Sequence, residues 1–121
     1  MIIELDLNSK IPIYEQIANE IVIMISKGKL KIGESLPSVR NLADICDINP
    51  MTANKAYKIL QNEGYIEINR RKGAVVSRGH LLLDEDIDNM KLSISKLFLS
   101  GMDKKEILDM INDYLEELCI S

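Results

Sequence analysis

Thr52, Asn54 and Lys55 fall within one short stretch, and Arg70, Arg71 and Lys72 form an unbroken basic run further on. Hydroxyl, amide, ammonium and guanidinium groups in this combination hydrogen-bond base edges and neutralise phosphate oxygens. One or two positive charges at a polar loop mean little. Three in a row beside a helix that carries Thr52, Asn54 and Lys55 are more specific. Both groups lie within residues 33–77, which read in order as helix, turn, helix and a two-stranded ribbon with a basic tip. That order presents one helix to the DNA major groove and one loop to the backbone beside it. The start of the second of these helices offers side chains and backbone N–H groups to the groove.

The elements that hold these groups follow from periodicity and punctuation. Residues 3–7 alternate as a short extended lead-in. Pro12 opens a first helix, with Ile13, Ile17, Ile21 and Ile25 recurring every four residues beside Tyr14, Ala18 and Met24, and Gly28 ends it. Residues 29–37 read as a connector. Ser38 caps a second helix with Val39, Leu42, Ala43 and Cys46 inside, ending near Asp47. Asn49 caps a third with Pro50 at its first position; Ala53, Ala56, Tyr57 and Leu60 face inward, and Gly64 closes it. Residues 65–68 and 74–77 are the hairpin strands. Asp84, Glu85, Asp86 and Asp88 load the start of a fourth helix striped by Ile87, Met90, Ile94, Leu97 and Phe98. Ser100-Gly101-Met102 breaks it. Asp103 and Glu106 begin a fifth, lined by Ile107, Ile111, Tyr114, Leu115 and Leu118 and widened by Leu108 and Met110. The predicted fold is mainly α with a small β-hairpin: a winged helix-turn-helix domain over 1–79, then a two-helix antiparallel hairpin over 80–121. Two helices bury little alone, so their wide apolar faces are expected to meet a second copy of the chain.

Charge distribution supports this division. The formal net charge of −4 looks wrong for a nucleic-acid binder. Residues 1–80 carry 11 basic and 9 acidic side chains, whereas residues 81–121 carry 4 and 10, so the two parts stand at +2 and −6. The apolar runs are too short for a membrane span, and the N-terminus lacks the pattern of a signal peptide, so a cytoplasmic location is expected. Cys46 and Cys119 lack metal-ligand spacing and read as free thiols. His80 reads as a junction residue with no nucleophile or carboxylate partner. Asp84, Asp86 and Asp88 open like a calcium loop, but Asn89 and Ser95 stand where glycine and glutamate are needed. Met90, Met102 and Met110 read as core or interface filler. No phosphate loop, metal pair or catalytic triad is present, so neither enzyme activity nor a cofactor is expected.

The chain resembles the GntR family of bacterial transcription regulators, and within it the short YtrA type. The resemblance rests on Pro12-Ile13-Tyr14-Glu15-Gln16-Ile17, Gly28-Lys29-Leu30, Gly33, Leu36-Pro37-Ser38-Val39-Arg40-Asn41-Leu42-Ala43, Asn49-Pro50-Met51-Thr52, Lys55-Ala56-Tyr57, Leu60 and Glu63-Gly64-Tyr65-Ile66. It implies that Arg40 of the Leu-Pro-Ser-x-Arg motif touches DNA, with Ser38 of the same motif in the contact set. It implies that Asn49, Met51, Thr52, Asn54 and Lys55 read the groove. It implies wing contacts to the minor groove or backbone through Arg70 and Gly73; Arg71 and Lys72 join them from the reading of the basic tip as phosphate contacts. The family wing runs Arg-Gly-x-Gly-Thr-Phe-Val. Here Arg71 takes the place of its first glycine, which adds charge and bears on the tip conformation. Ala53 and Val75 replace the usual valine and phenylalanine as packing adjustments. Only about 40 residues follow the wing, room for two helices and no enclosed pocket of ordinary size, which fits the YtrA type.

The expected function is therefore a homodimeric, sequence-specific DNA-binding regulator, a repressor on a palindromic operator. Double-stranded DNA is the partner, and no effector is identified. Two alternatives stay open: a regulator with an effector site at the dimer or inter-domain interface, and a winged-helix protein-interaction module.

Overall fold

The computed structural model describes residues 1–77, 79 and 83–118. It contains α1 (Ile13–Ser26), α2 (Val39–Cys46), α3 (Pro50–Asn62), β1 (Ile66–Asn69), β2 (Gly73–Val76), α4 (Asp84–Leu99) and α5 (Lys104–Glu117). The chain divides into two compact units, Met1–His80 and Leu81–Ser121. The readings of His80 as a junction residue and Cys119 as a free thiol lie outside the described residues.

In the first unit α1 follows Pro12 without a side-chain cap, α2 and α3 begin on side-chain caps, and all three have a defined stop. Ser38 Oγ accepts the Asn41 N–H (3.1 Å) at the start of α2. Asn49 Oδ1 accepts the Met51 N–H (2.7 Å) at the start of α3, with Pro50 in its first turn. α1 and α3 end on glycines in the left-handed region, Gly28 and Gly64. At α2 the same place is taken by Asp47 (φ 54°), after which the Ile48 N–H returns to the Ala43 carbonyl (2.9 Å). A short polar side chain tolerates this conformation better than most.

The core is built from the expected stripes. Ile17, Ala18, Ile21 and Met24 of α1 meet Leu42 and Ala43 of α2 and Ala53, Ala56, Tyr57 and Leu60 of α3. Ile66, Ala74 and Val76 close it from the hairpin. Ala53 and Ala56 are both fully buried, and their small side chains let the helix backbones approach closely. The lead-in lays Met1, Ile3 and Leu5 against this core. Gln16 clasps it: its Oε1 accepts the Asp6 N–H (2.9 Å), and its Nε2 donates to the Asp6 and Ile11 carbonyls (3.0 and 2.8 Å).

Residues 29–37 prove to be more than a connector. β1 and β2 pair antiparallel in the register Ile66↔Val76 to Asn69↔Gly73. On the opposite edge of β2, the Gly33 N–H donates to the Val76 carbonyl, the Val76 N–H to the Glu34 carbonyl, and the Leu36 N–H to the Ala74 carbonyl (2.7, 2.9 and 2.8 Å). The hairpin is thereby tied along the segment that leads directly into α2. Periodicity missed this because the stretch is short, contains Gly33 and Pro37, and forms a single bridge, Ser35↔Val75, rather than a regular strand.

Tyr57 then joins that segment to α3. It is 1% exposed, and its hydroxyl donates to the Pro37 carbonyl. Burial, with a smaller contribution from Cys46, pushes its phenol well above the ordinary value, so it stays a protonated donor. Burial likewise raises the Cys46 thiol.

In the second unit α5 opens with a complete capping box. The Glu106 N–H donates to Asp103 Oδ1 (2.9 Å), and the Asp103 N–H to Glu106 Oε1 (3.4 Å). α4 and α5 are joined through Gly101 (φ 106°) and pack on each other. Their apolar faces remain largely uncovered: Ile107 is buried, whereas Phe98, Leu99, Leu108 and Leu115 are exposed. Among the described residues no helix is long and apolar enough to cross a membrane.

Replacing Tyr57 with Phe deletes one hydroxyl and strands the Pro37 carbonyl at a part-buried joint. Urea unfolding should show a loss of about 1–2 kcal/mol. A variant as stable as the parent would mean that this bond does not hold α2 to α3.

Candidate nucleic-acid interface

The residues expected to meet DNA all lie in the first unit or its hairpin. Arg40 is exposed in the first turn of α2. It lies three residues after Pro37, whose carbonyl Tyr57 holds, and four after Leu36, whose N–H pairs with β2. Its backbone is therefore anchored from α3 and from the hairpin while its side chain stays in solvent. The three-residue turn of Asp47, Ile48 and Asn49 carries the chain into α3, and Ile48 packs on the core.

At the start of α3 the structure alters one expectation. The Met51 N–H is taken by Asn49 Oδ1, and the Thr52 and Ala53 N–H groups by the Asn49 carbonyl (3.0 and 3.2 Å). Pro50 has no N–H to offer. The backbone donors expected to face the groove are thus engaged within the helix end. What α3 presents is side chains. Met51 is 79% exposed, Lys55 is exposed, and Thr52 and Asn54 are half-buried. Ser38 and Asn49, also expected to contact DNA, hold their caps through one oxygen each. The Ser38 hydroxyl hydrogen and the Asn49 Nδ2 amide are left for an outside acceptor.

Lys55 has a neighbour that spacing did not reveal. Its Nζ lies 4.0 Å from the centroid of the Tyr14 ring, on α1. Tyr14 falls on the apolar stripe of α1 and reads there as a core residue. It is in fact half-buried, with its ring against both the core and the ammonium.

The wing tip is ordered by Asn69 and Gly73. Asn69 Oδ1 accepts the Arg71 N–H (2.7 Å) and the Lys72 N–H (3.4 Å). Gly73 takes the left-handed conformation (φ 71°). Among the described residues Asp47 is the sole non-glycine with positive φ, so Arg71 needs no glycine-like backbone. The tip closes with its conformational demand at Gly73, and the arginine in place of a glycine costs nothing in φ. A Cβ at Gly73 would meet no atom within 4 Å, so φ alone favours glycine there. The local signal was present in the sequence as Asn before the tip and Gly after it.

Arg70, Arg71 and Lys72 are exposed. Among the described residues no carboxylate pairs with Arg40, Lys55, Arg70, Arg71 or Lys72. These charges are uncompensated and open to an anion. No group of three His, Cys, Asp or Glu side chains among the described residues could hold a metal ion.

Gly73→Ala should lower stability by roughly 1 kcal/mol through the left-handed backbone, and Gly73→Asn by less. Chemical denaturation of both variants checks this. Equal losses would show that space rather than φ selects glycine.

Comparison with known proteins bears on the family and the fold. The model of the bacterial regulatory proteins of the gntR family matches residues 13–76, from the start of α1 to the end of β2. The HTH-type transcriptional repressor YtrA of Bacillus subtilis is 35% identical over 118 residues, covering 96% of this chain and 91% of its own. The structure of YtrA from Sulfolobus acidocaldarius, a GntR-family transcription factor, is 39% identical with a TM-score of 0.59, covering 95% of this chain and 97% of that one. A transcriptional antiterminator from Listeria monocytogenes is 29% identical with a TM-score of 0.83, covering 94% of this chain and 90% of its own.

Proposed function

This chain belongs to the gntR family of bacterial regulatory proteins and is of the YtrA type; from that premise we propose that it is a repressor that binds a palindromic operator as a homodimer in the cytoplasm. It is a DNA-binding transcription regulator by family, not an enzyme. The observation that carries the finer reading is the set of uncompensated cations on α2, α3 and the wing of one unit. Arg40, Met51, Thr52, Asn54 and Lys55 fix register and read the major groove, with Ser38 and Asn49 at its margin. Arg70, Arg71 and Lys72 grip the backbone or minor groove beside it, on a tip shaped by Gly73. Residues 1–79 act as the DNA-binding domain and residues 80–121 as the dimerisation region.

The dimer reading rests on the second unit. α4 and α5 leave an open apolar groove of about 570 Å³, lined by Ile94, Phe98, Leu99, Ile107, Leu108 and Ile111 among others. Faces this apolar are rare on soluble monomers. A second copy offers a matching surface, and two-fold pairing sets two recognition helices against two half-sites.

Genomic fragments bound by the purified protein should share an inverted repeat. Arg40→Ala should lose them while remaining folded and dimeric. Replacing Arg70 and Arg71 together with Ala should weaken every duplex and reduce the salt slope by about two. Unchanged operator affinity in the first variant, or an unchanged slope in the second, would remove those residues from the interface.

Phe98→Glu with Leu115→Glu should turn a dimer into a monomer in sedimentation equilibrium without unfolding the first unit. A monomeric parent would end the dimer reading.

A further inference from the structure

We infer that Tyr14 is a positioning residue for DNA binding: its ring holds the Lys55 ammonium at the α1 edge of the interface as a preset phosphate contact. The inference rests on the DNA-binding reading above. Three observations support it. The Lys55 Nζ lies 4.0 Å from the Tyr14 ring centroid, within the range of a cation–π contact. The ring is fixed, because Tyr14 is half-buried and packed on the core at the second residue of α1. Lys55 itself is exposed and has no carboxylate partner among the described residues.

A lysine on an exposed helix ordinarily samples many rotamers and must surrender them to bind. Here the aromatic face limits that freedom before DNA arrives. The ring faces one side of the ammonium and accepts none of its charge. N–H donors on the other sides stay available to a phosphate oxygen. Ordering a group in advance lowers the cost of the contact it later makes. The distance between ring and ammonium is set by the close packing of α1 on α3, where Ala53 and Ala56 are fully buried on either side of Lys55 in sequence. Because α1 supplies the ring, the ammonium is drawn toward α1. Within the set that fixes register and reads the groove, Lys55 then takes the register-fixing part, a contact to a backbone phosphate.

The test uses the full chain and a short duplex of random sequence at several salt concentrations. Lys55→Ala should weaken binding and reduce the salt slope by about one, as one lost phosphate contact requires. Tyr14→Leu should weaken binding by about 2- to 5-fold with the slope unchanged, since Lys55 still reaches the phosphate but is no longer preset. Tyr14→Phe keeps the ring and should bind as the parent does. The double variant Tyr14→Leu, Lys55→Ala should bind no more weakly than Lys55→Ala alone. Further weakening in the double variant would mean that Tyr14 acts through general stability, and the inference falls. Tyr14→Phe as weak as Tyr14→Leu would assign the effect to the hydroxyl and overturn it equally. Parent-like binding by Lys55→Ala, with the Arg70, Arg71 double variant still impaired, would refute the positioning role and leave the DNA reading standing. No binding of any duplex by the parent would remove both.

Discussion

The hydroxyl of Tyr57, buried in the core and donating to the Pro37 carbonyl, is the joint on which the first unit turns. Tyr57 belongs to α3, and Pro37 to the segment that both flanks β2 and leads into α2. One hydrogen bond therefore ties α3 to the segment leading into α2 and, through the Leu36–Ala74 pairing, to the hairpin. A part-buried bond of this kind is expensive to leave unmade. Its burial keeps the phenol protonated, so the joint does not loosen with pH in any ordinary range.

From that joint outward, the groups that would touch DNA share a common pattern: rigid backbone and free side chain. Arg40 follows the anchored segment. Met51, Thr52, Asn54 and Lys55 stand on a helix whose first donors are already engaged by Asn49. Arg70, Arg71 and Lys72 stand on a tip closed by Asn69 and Gly73. The cations lack carboxylate partners among the described residues, so anions from outside are their natural complement. The second unit contrasts with this. It is acidic and poorly covered, capped by side chains at α5 but not at α4, with its apolar residues largely outside rather than within.

Much of the molecule is legible from residue order. The helix stripes, the Ser38 and Asn49 caps, the Gly28 and Gly64 stops and the Asp103–Glu106 box depend on chemistry within a few residues, and each forms as that chemistry dictates. The edge pairing of residues 33–36 on β2 does not declare itself, because its partner lies some forty residues away and the stretch is too short for a periodic signal. Tyr14 shows the same limit. On a helical stripe it looks like core, and only the approach of α1 to α3 brings Lys55 over its ring.

The sequence by itself determined the elements, most of their caps, the split of charge between the two parts, and the set of polar and basic residues at the starts of the second and third helices and the tip of the ribbon. Those are local facts of side-chain type and spacing. Only the tertiary structure decided that the backbone donors of α3 are spent, that Arg71 needs no glycine because Gly73 carries the left-handed turn, and that Lys55 rests on Tyr14. Each of those depends on where a carbonyl, a φ angle or a ring sits in space. Spacing along a chain records none of them until the helices have packed.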